Sequence, residues 1–159
     1  MNRFLRQQPT ITLKLAMRAL HAALEKAEQE QVHISIAIVD ASGQPIHTAH
    51  MDNAPLPSRD IALNKALTAA GFSASTGTWH ERLEKCSPAV RQGLPMQPGL
   101  ALFGGGEPFL LDDEVIGAIG ISGASERVDE LCALAAVQRV EQLLGEGTPN
   151  GQTRSSALH

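Results

Sequence analysis

"LFGGGEPFLLDDEVIGAIGISGAS", Leu102 to Ser125, decides the fold. The segment "PFLLDDEVIGAIGIS" reads as two strands around a turn at Asp112–Asp113–Glu114, and so short a link makes them antiparallel neighbours. Before them stand three glycines, Gly104, Gly105 and Gly106. A phosphate-binding P-loop needs a Lys followed by Ser or Thr and must open a helix. "GGGEPF" has no Lys and leads into a strand. The GxGxxG dinucleotide fingerprint, which links a strand to a helix, is absent as well. Two readings of the triplet remain compatible. One is a tight hairpin turn needing positive φ; the other is a close-approach wall of a pocket whose N–H groups face an anionic ligand, and the two can hold together.

Working outward, "GLALF" (Gly99 to Phe103) reads as a further short strand, and residues 86–99, with three prolines and two glycines, as a long loop. Upstream, "HISIAIVD" is short and β-branched, the pattern of a strand buried on both faces. "DASG" (Asp40 to Gly43) turns the chain, and "PIHTAHM" returns to complete a hairpin. A helix is expected over "RDIALNKALTAAGF" with Ser58 as its cap, and another starts at "TWHE", Thr78 to Glu81. The first helix carries Leu13, Met17, Leu20, Leu24 and Ala27 as an expected buried stripe, with Lys14, Arg18, Glu25 and Glu28 opposite. "ASERVDELCALAAVQRVEQLLG" is the last helix, with Ser125 as cap and Asp129 as a first-turn dipole partner. Its middle, Leu131 to Val137, is apolar on nearly every face, which predicts burial against another subunit. The order α-β-β-α-α-β-β-β-α gives an α+β fold with one five-stranded antiparallel sheet and helices packed on it.

Composition removes several function classes. The chain has 159 residues, 43% of them hydrophobic, enough for one domain with a core of its own. Aromatics are 3%, with one Trp and no Tyr, too few for a base-stacking platform. A net charge of −4 with no Lys/Arg run argues against nucleic acid and acidic membranes. No stretch approaches the ~18 apolar residues of a membrane span, and "MNRFLRQQPTIT" lacks the apolar core of a secretory signal. Cys86 and Cys132 fit a reduced pair, and the expected location is the cytoplasm.

"SIAIVDASGQPIHTAHMDNAP", "NKALTA", "FGGGEPF" and "VIGAIGISGAS" followed by "VDE" resemble, in that order, the GlcG/HbpS family of haem-binding-like proteins, to which the C-terminal domain of PduO-type proteins is similar. The likeness covers roughly residues 10 to 144. It implies a profilin-like α+β fold, a homo-oligomer, and haem as a ligand. The domain limits that follow are a loose arm at 1–9, one GlcG/HbpS-like domain at 10–144 and a disordered tail at 145–159. Where family members read "RMDGAP", this chain has "HMDNAP", so His50 replaces a permanent cation with a titratable side chain.

Candidate site residues follow from these segments. His50, at a strand end, is the preferred haem-iron ligand, and His47 the second choice. Their odd spacing puts them on opposite faces of a strand. Lys65 lies among Ala residues as either a snorkelling side chain or an anion clamp in a cleft, and Asp52 either caps its loop or lines a pocket with Lys65. Gly104, Gly105, Gly106, Ser122 and Gly123 are the remaining candidate ligand-binding positions. His21 reads as a half-buried packing residue; His33 and His80 read as structural. The favoured function is a small-molecule binding protein, haem being the ligand the resemblance implies, accessory to a metabolic pathway. The alternatives are a lyase or isomerase on a small carbonyl or hydroxy-acid compound, with Lys65 and Asp52 as catalytic groups, or a non-catalytic oligomeric assembly module.

Overall fold

A computed structural model of the chain describes residues 2–147. The elements are α1 (Leu13–Gln29), β1 (Ser35–Asp40), β2 (Pro45–His50), α2 (Ser58–Phe72), α3 (Trp79–Glu84), α4 (Pro88–Gly93), β3 (Gly106–Leu111), β4 (Glu114–Ser122) and α5 (Glu126–Glu146). The four strands form one antiparallel sheet in the order β2-β1-β4-β3. The fold is therefore α+β, but the sheet has four strands rather than five. The missing strand is "GLALF", because its backbone is used differently. Ala101 N–H donates to the Thr68 hydroxyl at 3.0 Å, and the following glycines turn the chain, Gly105 at φ +126°. The stretch 86–99, read as loop, holds the short α4, which Ser87 caps by accepting from Val90 N.

The central pair, β1 and β4, is buried almost throughout. One face of the sheet meets α2 through Val39, Ala66, Ala69 and Ala118, and the other meets α1 and α5 through Ile34, Ile36, Ile38, Ile119 and Ile121. The β3–β4 turn falls at Asp112 and Asp113, both at positive φ (51° and 65°), the backbone of a two-residue hairpin that follows strand twist. At β1–β2, Asp40 Oδ1 accepts from Ser42 N and Gln44 N, so the expected Asx turn forms.

Two helix readings are corrected. The buried face of α1 is Ala16, Ala19, Leu20, Ala23 and Ala27, while Leu13 and Met17 are 53% and 51% exposed. Small side chains let α1 lie close against Cys132, Ala133, Ala136 and Val140 of α5, so closeness rather than bulk chose the face. Within the chain the neighbour of α5 is α1, and Leu134 on α5 is left 42% exposed. Ser58 is the first helical residue of α2 and does not cap it, whereas Ser125 does cap α5. The reading of 145–159 as a tail is met by helix as far as Glu146, and residues 148–159 lie outside the described residues. No described helix is long and apolar enough to cross a membrane.

Candidate functional site

The candidate residues separate into two places. The first lies where α2, the glycine triplet and the start of α5 meet. Gly120 of β4 lets α2 approach: a Cβ there would stand 1.8 Å from Ala62 O. This closeness carries Lys65 across the sheet, where its ammonium donates to Ile121 O at 2.7 Å and to Asp129 Oδ2 at 3.1 Å. It also lies 4.9 Å from the centre of the Phe103 ring. Lys65 is 1% exposed and Asp129 3% exposed. Burial draws the Lys65 pKa below its ordinary value, although Asp129 opposes this; burial likewise raises Asp129. Asp129 is thus an inward ion-pair partner whose second oxygen accepts from Ala124 N, not merely a dipole partner at the helix start.

The glycine triplet serves this arrangement. Gly104 N–H donates to Glu126 Oε1 at 2.7 Å and Gly106 N–H to Thr76 Oγ1 at 2.8 Å. A Cβ on Gly105 would reach 2.6 Å from Ile121 O and 2.7 Å from Lys65 Nζ. Glycine is needed at 105 both for positive φ and for room. The triplet is not the hairpin turn, and two of its amides serve the protein's own side chains. Glu126 also meets His80 Nε2 at 2.5 Å. His80 is raised chiefly by its hydrogen bond to Glu126, and Glu126 is lowered chiefly by the Gly104 amide and then by His80.

The second place is an open groove of about 460 Å³ at the end of β2, lined by Leu24, Glu28, His33, Ala49, His50 and Met51, with Asp52 and Asn53 at the turn. The strand register explains its central residue. Ser35 of β1 pairs with His50 on one side and Ser122 on the other. Directly opposed residues share a face, and the Ser35 hydroxyl is hydrogen-bonded to His50 Nδ1. Ser35 is 1% exposed, so a buried hydroxyl fixes the imidazole while Nε2 has no hydrogen bond among the described residues. His47 pairs with Ile38, an odd number of residues from Ser35, so His47 and His50 face opposite sides of the sheet.

Asp52 therefore lines the His50 groove and does not join Lys65. Ser122 is 6% exposed beside Ser35, and Gly123, at φ +135°, admits His33 O where a Cβ would lie 2.5 Å away. The His21 side chain is 69% exposed, not half-buried. Sequence reasoning missed Ser35 and the inward turn of Asp129. A Lys set among alanines signals the need for a buried carboxylate, and "VDE" was there to supply one. Nothing in the sequence marks Ser35 without the strand register. Among the described residues no group of three or more His, Cys, Asp or Glu could hold a metal ion.

Residues 11–138 match the family described as Haem degrading protein HbpS-like. An uncharacterized 15.0 kDa protein from the dhaT-dhaS intergenic region of Citrobacter freundii is 36% identical over 140 residues, covering 86% of this chain and 96% of that protein. The crystal structure of Klebsiella pneumoniae protein ORFY superposes with a TM-score of 0.81 at 31% identity, over 89% of this chain and 97% of that one. That of a PduOC:Heme complex superposes with a TM-score of 0.75 at 30% identity, over 82% and 94%.

Proposed function

The chain belongs to the HbpS-like family, and on that premise we propose that it is a small-molecule binding protein that takes haem in the groove at His50 and serves a metabolic pathway in the cytoplasm as an accessory. The observation that carries this reading is the Ser35–His50 contact. When Nδ1–H donates to the Ser35 oxygen, the Nε2 lone pair is left for an iron, and the ring's orientation is already set. The similarity to a PduOC:Heme complex supports the choice of ligand.

The groove residues fit a macrocycle of this kind. Leu24, Ala49 and Met51 offer apolar wall on the α1 side and His33 and Asn53 offer polar contacts, while Glu28 and Asp52 add two carboxylates to the lining, so acidic substituents would point away from these, towards solvent. Its volume lies within the range of roughly 300–1,000 Å³ usual for small-molecule sites. Bound haem would supply an iron centre capable of redox chemistry. The chain's own contribution is to present one imidazole and to hold its tautomer through Ser35. The lyase or isomerase reading gains nothing from Lys65, whose amine is shut off from solvent and held by Ile121 and Asp129.

Titration with haemin, followed at the Soret band, tests the proposal. Wild type and His47→Ala are expected to saturate at one site, His50→Ala to lose the shift, and Ser35→Ala to weaken it about 10-fold or more. A non-saturating shift, the same in all four proteins, overturns the haem reading.

A further inference from the structure

A second groove, of about 360 Å³, lies at the edge of the sheet opposite to His50, beside β3. There the chain leaves α2, passes the edge strand and meets α5. Glu107 of β3 pairs with Ile119 of β4, so it shares the sheet face that α5 covers. Glu107 is 8% exposed, and its Oε2 accepts from the Ser75 hydroxyl. Oε1 has no hydrogen bond among the described residues. It is not sealed in protein either, since the enclosed side-chain polar atom without a partner among them is Trp79 Nε1. Glu107 stands in the wall of the groove, and Oε1 opens into it.

No cation answers this carboxylate, for no Lys, Arg or His lines the groove. Glu141 of α5 adds a second carboxylate to the wall, exposed and without an ion pair among the described residues. Ser73, also in the wall, is the C-cap of α2, whose last turn holds no basic residue. The negative end of that helix therefore adds to the two carboxylates. Val137, Pro108 and Leu110 supply apolar wall. Burial raises the Glu107 pKa above its ordinary value; the Ser75 hydrogen bond opposes this, and the Glu130 charge adds to it.

We propose that this groove binds a small primary ammonium ion carrying a short apolar chain, with the ammonium on Glu107 Oε1 and the chain along Val137, Pro108 and Leu110. A positive charge there offsets the burial of the carboxylate. A guanidinium fits less well, because it takes both oxygens of a carboxylate side by side and Oε2 already serves Ser75. A metal ion is not favoured, since no described group of three or more His, Cys, Asp or Glu could hold one, and it would leave the apolar wall unused. The volume is within the roughly 300–1,000 Å³ usual for small ligands. The site is separate from the groove at His50, and the proposal does not depend on haem.

Titration with n-butylammonium chloride at neutral pH and low salt, followed by amide chemical shifts, tests the site. Saturable shifts are expected around Ser75, Glu107 and Glu141. The neutral isostere n-butanol should bind about 10-fold more weakly or worse, and so should wild-type protein's Glu107→Gln variant, which keeps an oxygen for Ser75. Glu141→Lys, at an exposed position that leaves the fold intact, sets a cation in the groove and should weaken binding about 10-fold or more as well. His50→Ala should bind the ammonium as wild type does. The proposal is overturned by shifts that do not saturate, by shifts centred on the His50 groove, or by n-butanol binding as well as n-butylammonium. It is equally overturned if Glu141→Lys, or a folded Glu107→Gln, binds like wild type.

Discussion

Lys65 Nζ lies 3.1 Å from Asp129 Oδ2, with the two side chains 1% and 4% exposed. The pair joins α2 to the first turn of α5 over the glycine triplet. Removing one partner leaves an uncompensated charge where water cannot reach. Lys65→Met and Asp129→Leu should each cost about 3–5 kcal/mol in urea unfolding. The double replacement should recover most of that loss, because neither charge then remains buried alone. Additive losses in the double variant count against the pair as the coupling element.

Gly120 faces the α2 backbone directly, and a Cβ there would meet Ala62 O at 1.8 Å and Ala66 N at 2.6 Å. Both obstacles are main chain and cannot turn aside. Gly120→Ala is therefore expected to destabilise by about 3 kcal/mol. Gly71 has nothing within 4 Å of its would-be Cβ and sits inside α2. There the same change should stabilise by about 0.5–1 kcal/mol through helix propensity and a less flexible unfolded chain. Melting temperatures of the two variants should fall on opposite sides of wild type.

His80 and Glu126 make a pH-dependent tie between α3 and α5. The His80 pKa is raised above its ordinary 6.5, so its contribution is fully present below that value and is lost as pH rises through the folded-state pKa. Glu126 is lowered from 4.5, so its contribution is present above 4.5 and is lost as pH falls through the folded-state value. The two windows overlap between 4.5 and 6.5. The melting-temperature difference between wild type and His80→Gln should peak there and shrink by pH 8 and by pH 3. His80 is exposed and Glu126 partly so, so the peak should be small and weaken further in high salt.

The two thiols should behave differently. Cys132 is fully buried, and burial pushes its pKa up to about 11. Cys86 is half-buried, with its thiol donating to Arg82 O at 3.2 Å. A thiol reagent at neutral pH should titrate one cysteine in the native protein and two in denaturant. Rapid reaction of both in native buffer counts against the burial of Cys132.

What the sequence made legible depended on whether local chemistry or tertiary closeness made the choice. The hairpin around Asp112 and Asp113, the buried β1 strand, the Asx turn at Asp40 and the Ser125 cap rest on local chemistry, and all four form. The face of α1 was misread because the usual signal weights large side chains, while α5 is approached through alanines. "GLALF" has strand composition, but Thr68 takes the Ala101 amide before any strand can. At the candidate site, the opposite-face placement of His47 and His50 follows from period two alone. The Ser35–His50 and Lys65–Asp129 contacts join residues that only strand register and helix crossing bring together.

The order β2-β1-β4-β3 places the two central strands at opposite ends of the described chain. α1 likewise waits for α5, the last helix. A growing chain that has emerged only as far as α4 holds the β1–β2 hairpin and the helices α1 to α4, but the alanine face of α1 has no α5 to meet. The fold can close only when its C-terminal third arrives, and it must then pay the loop-closure entropy of bringing distant segments together. Refolding from denaturant should accordingly fall in the millisecond-to-second range of chains dominated by long-range pairing, rather than the microseconds of local helical hairpins. A nascent chain truncated before β4 should remain open to chaperones and proteases.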